Sequence, residues 1–170
     1  MSNVIATASI ENDVNFTLIK TGSNQISESS SLNYSQSLTN GSATLNVNYG
    51  VLASGVLPSG GKEYLDLRAL SKENFDTTSS IQFSKVRGIV INNKETVYGW
   101  DINVHATGGT ALSEIFNGNT GALLIKPRAV HQYSDPISGL IVDGTNRQIT
   151  LEDVCGSGAK WRLVVVGITG

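Results

Sequence analysis

Long charged side chains are scarce in this sequence: Asp, Glu, Lys and Arg make up 15% of its 170 residues, against about 25% in ordinary soluble domains. Cysteine occurs once, as Cys155, which excludes an intrachain disulfide framework. Only three prolines are present. No apolar stretch approaches the ~20 residues of a membrane-spanning helix. The first residues carry neither the basic region nor the apolar core of a signal peptide, so synthesis in the cytoplasm and no membrane partner are expected. The formal net charge of −2 gives no electrostatic case for nucleic acid. Basic residues from Lys62 to Arg162 are scattered along the chain, and no aromatic-plus-basic RNA signature accompanies them.

Ser, Thr, Asn and Gly take the place of the missing charges. They favour turns and solvated strand faces over helices. Two readings follow: an all-β domain with many turns, or a surface made for fixed contacts, where few flexible side chains must be immobilised. The end of the chain, Trp161-Arg162-Leu163-Val164-Val165-Val166-Gly167-Ile168, holds no charge from Leu163 onward. A β-branched run of that length requires burial as a central strand. The length suits one domain with an appended arm and a core that needs neither metal nor disulfide.

Residues 4–10 and 14–20 read as short strands joined at Glu11-Asn12-Asp13, with Val14, Phe16 and Leu18 alternating against polar neighbours. Residues 21–31 are serine-rich and read as a linker, which makes 1–31 an N-terminal arm or hairpin and 32–170 the main domain. Asn40-Gly41 and 57–61 are turn signals. Residues 43–49 alternate at period two, a strand follows at Tyr64-Leu65-Asp66-Leu67, and 70–75, with Ser71 as cap, is the best helical turn. The segment 81–91 is a strand whose burial phase switches near Ser84-Lys85-Val86, the mark of a bulge. Thr96 to His105 returns as a strand, and further strands are expected at 122–126, 139–142, 147–151 and the C-terminal run. Turn signals every ~8–12 residues indicate an antiparallel β-sandwich or barrel.

No chemistry emerges from motif spacing. His105 and His131, with Asp101, Asn103 and Asp135, match no metal-ligand pattern. No Gly-x-Ser-x-Gly elbow is present. Cys155, in a turn beside Glu152 and Asp153, sits among charges that oppose a reactive thiolate. Glu152 and Asp153 point to opposite faces if Leu151 continues a strand, and Glu63 and Asp66 differ in parity too. Tyr98 and Trp100 share parity on the expected 96–105 strand and could stack on sugar rings beside Asp101 and Asn103. No catalytic, cofactor-binding or metal-binding residue is assigned, no cofactor is expected, and the chain reads as a non-enzyme.

One family resemblance is carried by Ser37-Leu38-Thr39-Asn40-Gly41, Leu52-Ala53-Ser54-Gly55 running to Leu65-Asp66-Leu67, Ile81 through Asn93, Leu124-Ile125-Lys126-Pro127 and the Trp161-to-Gly167 strand. In these segments the chain resembles small virion-surface proteins of tailed bacteriophages, the capsid decoration or cement type. The resemblance covers most of residues 37–170 and implies a jelly-roll-like β-sandwich, a homotrimer, and binding to the major capsid protein on the outer capsid surface. The alternative is a head-fibre or tail-fibre knob that binds host glycans.

Overall fold

The computed structural model describes residues 7–20, 26–40, 46–47, 49–71, 80–105, 115, 121–135 and 137–170, with the backbone alone for 7–20, 26–40, Asn46 and Ser71. Apolar residues at period two produce two antiparallel sheets that bury one face each. The first sheet runs β11 (Val130–Ser134), β8 (Phe83–Asn93), β14 (Lys160–Thr169), β4 (Tyr49–Val56), with β12 (Leu140–Ile141) also paired to β8. The second runs β10 (Ala122–Ile125), β9 (Ile102–His105), β13 (Gln148–Asp153), β5 (Lys62–Asp66). Val51, Ile89, Ile91, Leu163 and Val165 of the first meet Leu65, Ile102, Val104, Ile149 and Leu151 of the second in one buried cluster. Each such side chain stabilises the fold by about 1.5–3 kcal/mol. The all-β sandwich expected from the sequence is the architecture found, and the chain crosses repeatedly between the sheets in a jelly-roll-like path. Among the described residues no helix is long and apolar enough to cross a membrane.

The C-terminal run is central, as expected: β14 pairs with β8 on one side and β4 on the other. It is buried on one face only. Trp161, Leu163 and Val165 point inward, whereas Arg162 and Val164 are exposed, as an antiparallel sheet with one solvated face permits. The phase switch in β8 is also present. The ladder passes from Val166↔Gly88 to Gly167↔Val86 and from Ile168↔Lys85 to Thr169↔Phe83, so Arg87 and Ser84 are the unpaired extra residues. Gly167 lies where the bulged strand comes closest; a Cβ there would stand 2.2 Å from the Lys85 carbonyl oxygen. The first bulge turns Arg87 inward, where it is buried and donates to the Ile137 carbonyl.

Four elements depart from the sequence reading. The two short strands expected at 4–10 and 14–20 form one strand over Glu11-Asn12-Asp13, β1 (Thr7–Lys20). It pairs along its length with β2 (Ile26–Asn40), from Thr7↔Thr39 to Lys20↔Ile26. Residues 26–31, read as linker, therefore belong to β2, and the expected boundary at residue 31 falls within that strand. Serine composition reports solvation, whereas backbone pairing needs no apolar alternation. Of the expected 43–49 strand, β3 (Asn46–Val47) and the start of β4 are seen, and 43–45 lie outside the described residues, as does Gly41 of the Asn-Gly turn. Leu70 and Ser71 of the expected helical turn form β6 (Leu70–Ser71) against β7 (Ser80–Ile81); Leu70 is buried opposite Ile81, and 72–75 lie outside the described residues. The expected 96–105 strand is shorter, since β9 starts at Ile102. A fifth difference is an addition: β11 fills the edge of β8 without an apolar alternation to announce it.

Val165→Asp should prevent soluble folding, because an unpaired carboxylate between Val51 and Ile89 costs several kcal/mol. Val164→Asp, one residue away on the exposed face, should change stability by about 1 kcal/mol or less. Chemical denaturation of the two variants checks the pair.

Candidate functional site

One end of the sandwich concentrates its buried polar groups. The turn at 57–61, present as expected, is closed by Gly61 N–H donating to the Pro58 carbonyl (2.8 Å). Asp153 at the end of β13 holds this turn against the next one. Its Oδ2 accepts from the backbone N–H of Gly60 (3.0 Å) and Gly158 (2.7 Å), and its Oδ1 from Cys155 N–H (3.2 Å). Burial pushes this carboxyl's pKa up, but the backbone donors outweigh it and hold the value at about 2.

Asn93, fully buried at the end of β8, organises the neighbouring loop. Its Nδ2 donates to the carbonyls of Trp100 (2.8 Å) and Ile125 (3.0 Å), and its Oδ1 accepts from Glu95 N–H (3.0 Å). These bonds draw the chain away from strand pairing between Lys94 and Asp101. A turn, Trp100 N–H to Val97 carbonyl (3.3 Å), with Gly99 at φ 90°, leaves Tyr98 92% exposed and Trp100 half-buried. Tyr98 and Trp100 thus share a loop and not the strand face expected. Ile102 and Val104 are core, and Asn103 is half-buried on the outer face of β9 opposite Glu152.

Beside this loop the outer face of the first sheet forms an open cleft of about 550 Å³. Residues 54–56 of β4, Lys160, Trp161 and Arg162 of β14, and Lys94 line it. Lys94 N–H donates to the Lys160 carbonyl (2.8 Å), which extends the β8–β14 ladder one step past Asn93↔Trp161 and sets Lys94 against Lys160. Arg162 lies two residues on, between Ser54 and Asn92 in register. Beneath the cleft the Trp161 indole N–H donates to Glu63 Oε2 (2.9 Å), and a Cβ at Gly55 would lie 2.9 Å from that ring. The sequence showed these cations as scattered; the strand register gathers three of them.

The remaining candidates are dispersed. His105 on β9 approaches Glu152 (Nε2 to Oε2, 3.1 Å), whose other oxygen meets Lys62 (3.3 Å), whereas His131 lies on β11 of the other sheet. Asp101 pairs with Lys126 (2.6 Å), and Asp135 accepts from Ser138 N–H (2.9 Å). Among the described residues no group of three or more His, Cys, Asp or Glu is placed to hold a metal ion. Glu152 and Asp153 do face opposite ways; Glu63 turns inward to Trp161, and Asp66 outward to Arg147 (3.4 Å). Cys155 is exposed; desolvation and the hydrogen bond to Asp153 raise its pKa, away from a reactive thiolate. No protein-family model matches this sequence, and no curated protein is significantly similar to it.

The histidines set an acid response. Burial lowers the pKa of His105, against Glu152, and of His131. The unfolded chain then takes up protons first, near the ordinary 6.5, so stability is full above that pH and falls as pH drops through it, until the folded histidines also protonate. Asp153, ordinary value 3.8 and folded value about 2, adds a second loss as pH falls through that window. Thermal melts from pH 8 to 2 should show both steps. Replacing both histidines by Gln should remove the first, and Asp153→Asn should reduce the second at a cost of about 2–4 kcal/mol at neutral pH. Asp143, also held at about 2 by its bonds from Thr145 and Asn146, contributes to that second step as well.

Proposed function

We propose that this chain is a non-enzymatic virion structural subunit of the capsid decoration (cement) type. In this reading the β-sandwich docks as a homotrimer on the major capsid protein at the outer capsid surface, and the N-terminal hairpin engages a neighbour. The observation that carries the reading is the hairpin. β1 and β2 pair with one another along their length, and among the described residues β2 pairs onward only through a short parallel bridge to β3, Thr39↔Asn46 and Asn40↔Val47. A two-stranded ribbon is marginal alone in water. The outer edge of β1, which pairs with no further strand among the described residues, presents backbone donors and acceptors to an added strand. A lattice that binds the folded subunit would in turn be stabilised by mass action. The resemblance of residues 37–170 to phage decoration proteins supplies the identity of that lattice.

A carbohydrate-binding knob is the second reading, supported by the exposed Tyr98 and half-buried Trp100 of the 94–101 loop. Trp100→Ala should then abolish binding on a glycan array with the fold intact.

Removing residues 1–40 should leave the melting transition of the sandwich in place, since the strands of its two sheets, from β4 onward, pair with one another and not with β1 or β2. The same truncation should abolish co-sedimentation with capsids and reduce the solution mass by light scattering from trimer to monomer. Unchanged capsid occupancy would overturn the role given to the hairpin.

A further inference from the structure

Lys94, Lys160 and Arg162 share one face at the end of the first sheet, yet no carboxylate among the described residues forms an ion pair with any of them. Three other cations are matched, Lys62 with Glu152, Lys126 with Asp101 and Arg147 with Asp66, and the unmatched Lys85 and Arg128 lie outside the cleft lining. The acid nearest in sequence, Glu95, is 4% exposed and accepts from the Lys160 backbone N–H (2.9 Å) under the rim. It shapes the cleft instead of capping a cation. Like charges directly opposite one another on a ladder destabilise it, and Lys94 and Lys160 are so placed. In a chain of net charge −2 this is a local arrangement that composition does not require.

We propose that this cleft binds the acidic substituent of a saccharide, a carboxylate or sulfate ester, with Arg162 and the two lysines as its donors. The inference is independent of the decoration reading and does not rest on the aromatic side chains. A guanidinium presents a planar fork suited to an oxyanion, and charge-assisted bonds of this kind are the strong ones. A volume of about 550 Å³ lies within the range of small-ligand sites. Its open form admits one or two sugar rings of a longer chain, and Ser54 places a hydroxyl at the wall. A saccharide is favoured over nucleic acid because three charges at one strand end do not make the extended basic track that follows a phosphate backbone.

The test uses the full chain and four probes of similar length: a chondroitin sulfate tetrasaccharide, a hyaluronan tetrasaccharide, neutral maltotetraose and an oligothymidylate. Binding is measured by calorimetry at low and at physiological salt. The expected result is binding of at least one acidic saccharide, with the sulfated and carboxylate-only probes telling the two oxyanions apart, and none of maltotetraose. Lys160→Gln and Arg162→Gln should each weaken that binding about tenfold, with a shallower salt dependence and a melting temperature equal to or above the parent's. Trp100→Ala should leave the acidic-saccharide affinity within about twofold, which separates this site from the aromatic loop. Equal binding by the charge variants, oligothymidylate bound as tightly as the best saccharide, or no acidic saccharide bound at 1 mM (about the weakest affinity worth assigning) would each overturn the proposal.

Discussion

β14 must satisfy both of its backbone edges and one of its faces at once, and the rest of the structure follows from how it does so. Its edges are taken by β4 and β8, and its inward side chains Leu163 and Val165 complete the core against the second sheet. Those demands compete towards the C-terminal end of the strand. A straight β8 would carry one burial phase throughout, whereas Val86 is buried out of phase with Phe83 before it and with Ile89 and Ile91 after it. Two skipped residues, Ser84 and Arg87, resolve the conflict, and Gly167 makes room for the approach they force. A buried arginine results, bonded across to the Ile137 carbonyl, so the bulge anchors the segment that follows β11 as well as bending the sheet.

At the other end of β14 the pairing runs one residue beyond the strand of β8, and there the buried acids determine the surface. Asp153, Glu95 and Glu63 spend their oxygens on backbone N–H groups or on the Trp161 indole. Glu95 and Glu63 are thereby fixed against the backbone and ring that underlie the cleft. The cations above them, Lys94, Lys160 and Arg162, are left to solvent or to a ligand. Carboxylates turned inward to backbone and indole donors, and cations without a paired carboxylate outside, are two aspects of one arrangement.

Much of the framework was legible because it depends on local alternation. The C-terminal strand, the 57–61 turn, the bulge between Ser84 and Arg87 and the opposed parity of Glu152 and Asp153 each follow from residues within a few positions of one another. What could not be read depends on partners distant in sequence. The loop carrying Tyr98 and Trp100 alternates like a strand, but Asn93 bonds to Trp100 and Ile125 and holds it out of the sheet. β11 has no apolar stripe, because it pairs at an edge with both faces only half covered. The length of the β1–β2 hairpin is a property of backbone pairing, which a serine-rich sequence neither advertises nor forbids. The cationic cleft is the extreme case, since Lys94 and Lys160 become neighbours only through a cross-strand register. Pro58 and the paired glycines, by contrast, announce their turn without any distant partner.

This division separates two kinds of contact on one chain. The hairpin offers backbone, so it suits a partner that supplies an edge and accepts little side-chain specificity. The cleft offers fixed charges on a rigid sheet end, held by Asn93 and Glu95 from below, so it suits a small group recognised by charge and geometry. In the proposed reading, a subunit held on an assembly while its exposed surface meets other molecules would use both kinds of contact. The strand pairing keeps them apart: β1 pairs with β2 and β2 with β3, in a sheet distinct from the one that carries the cleft. Along the chain the hairpin leads into β3 and then β4, the strand that supplies Ser54 to the cleft wall, and β3 also lies against β14.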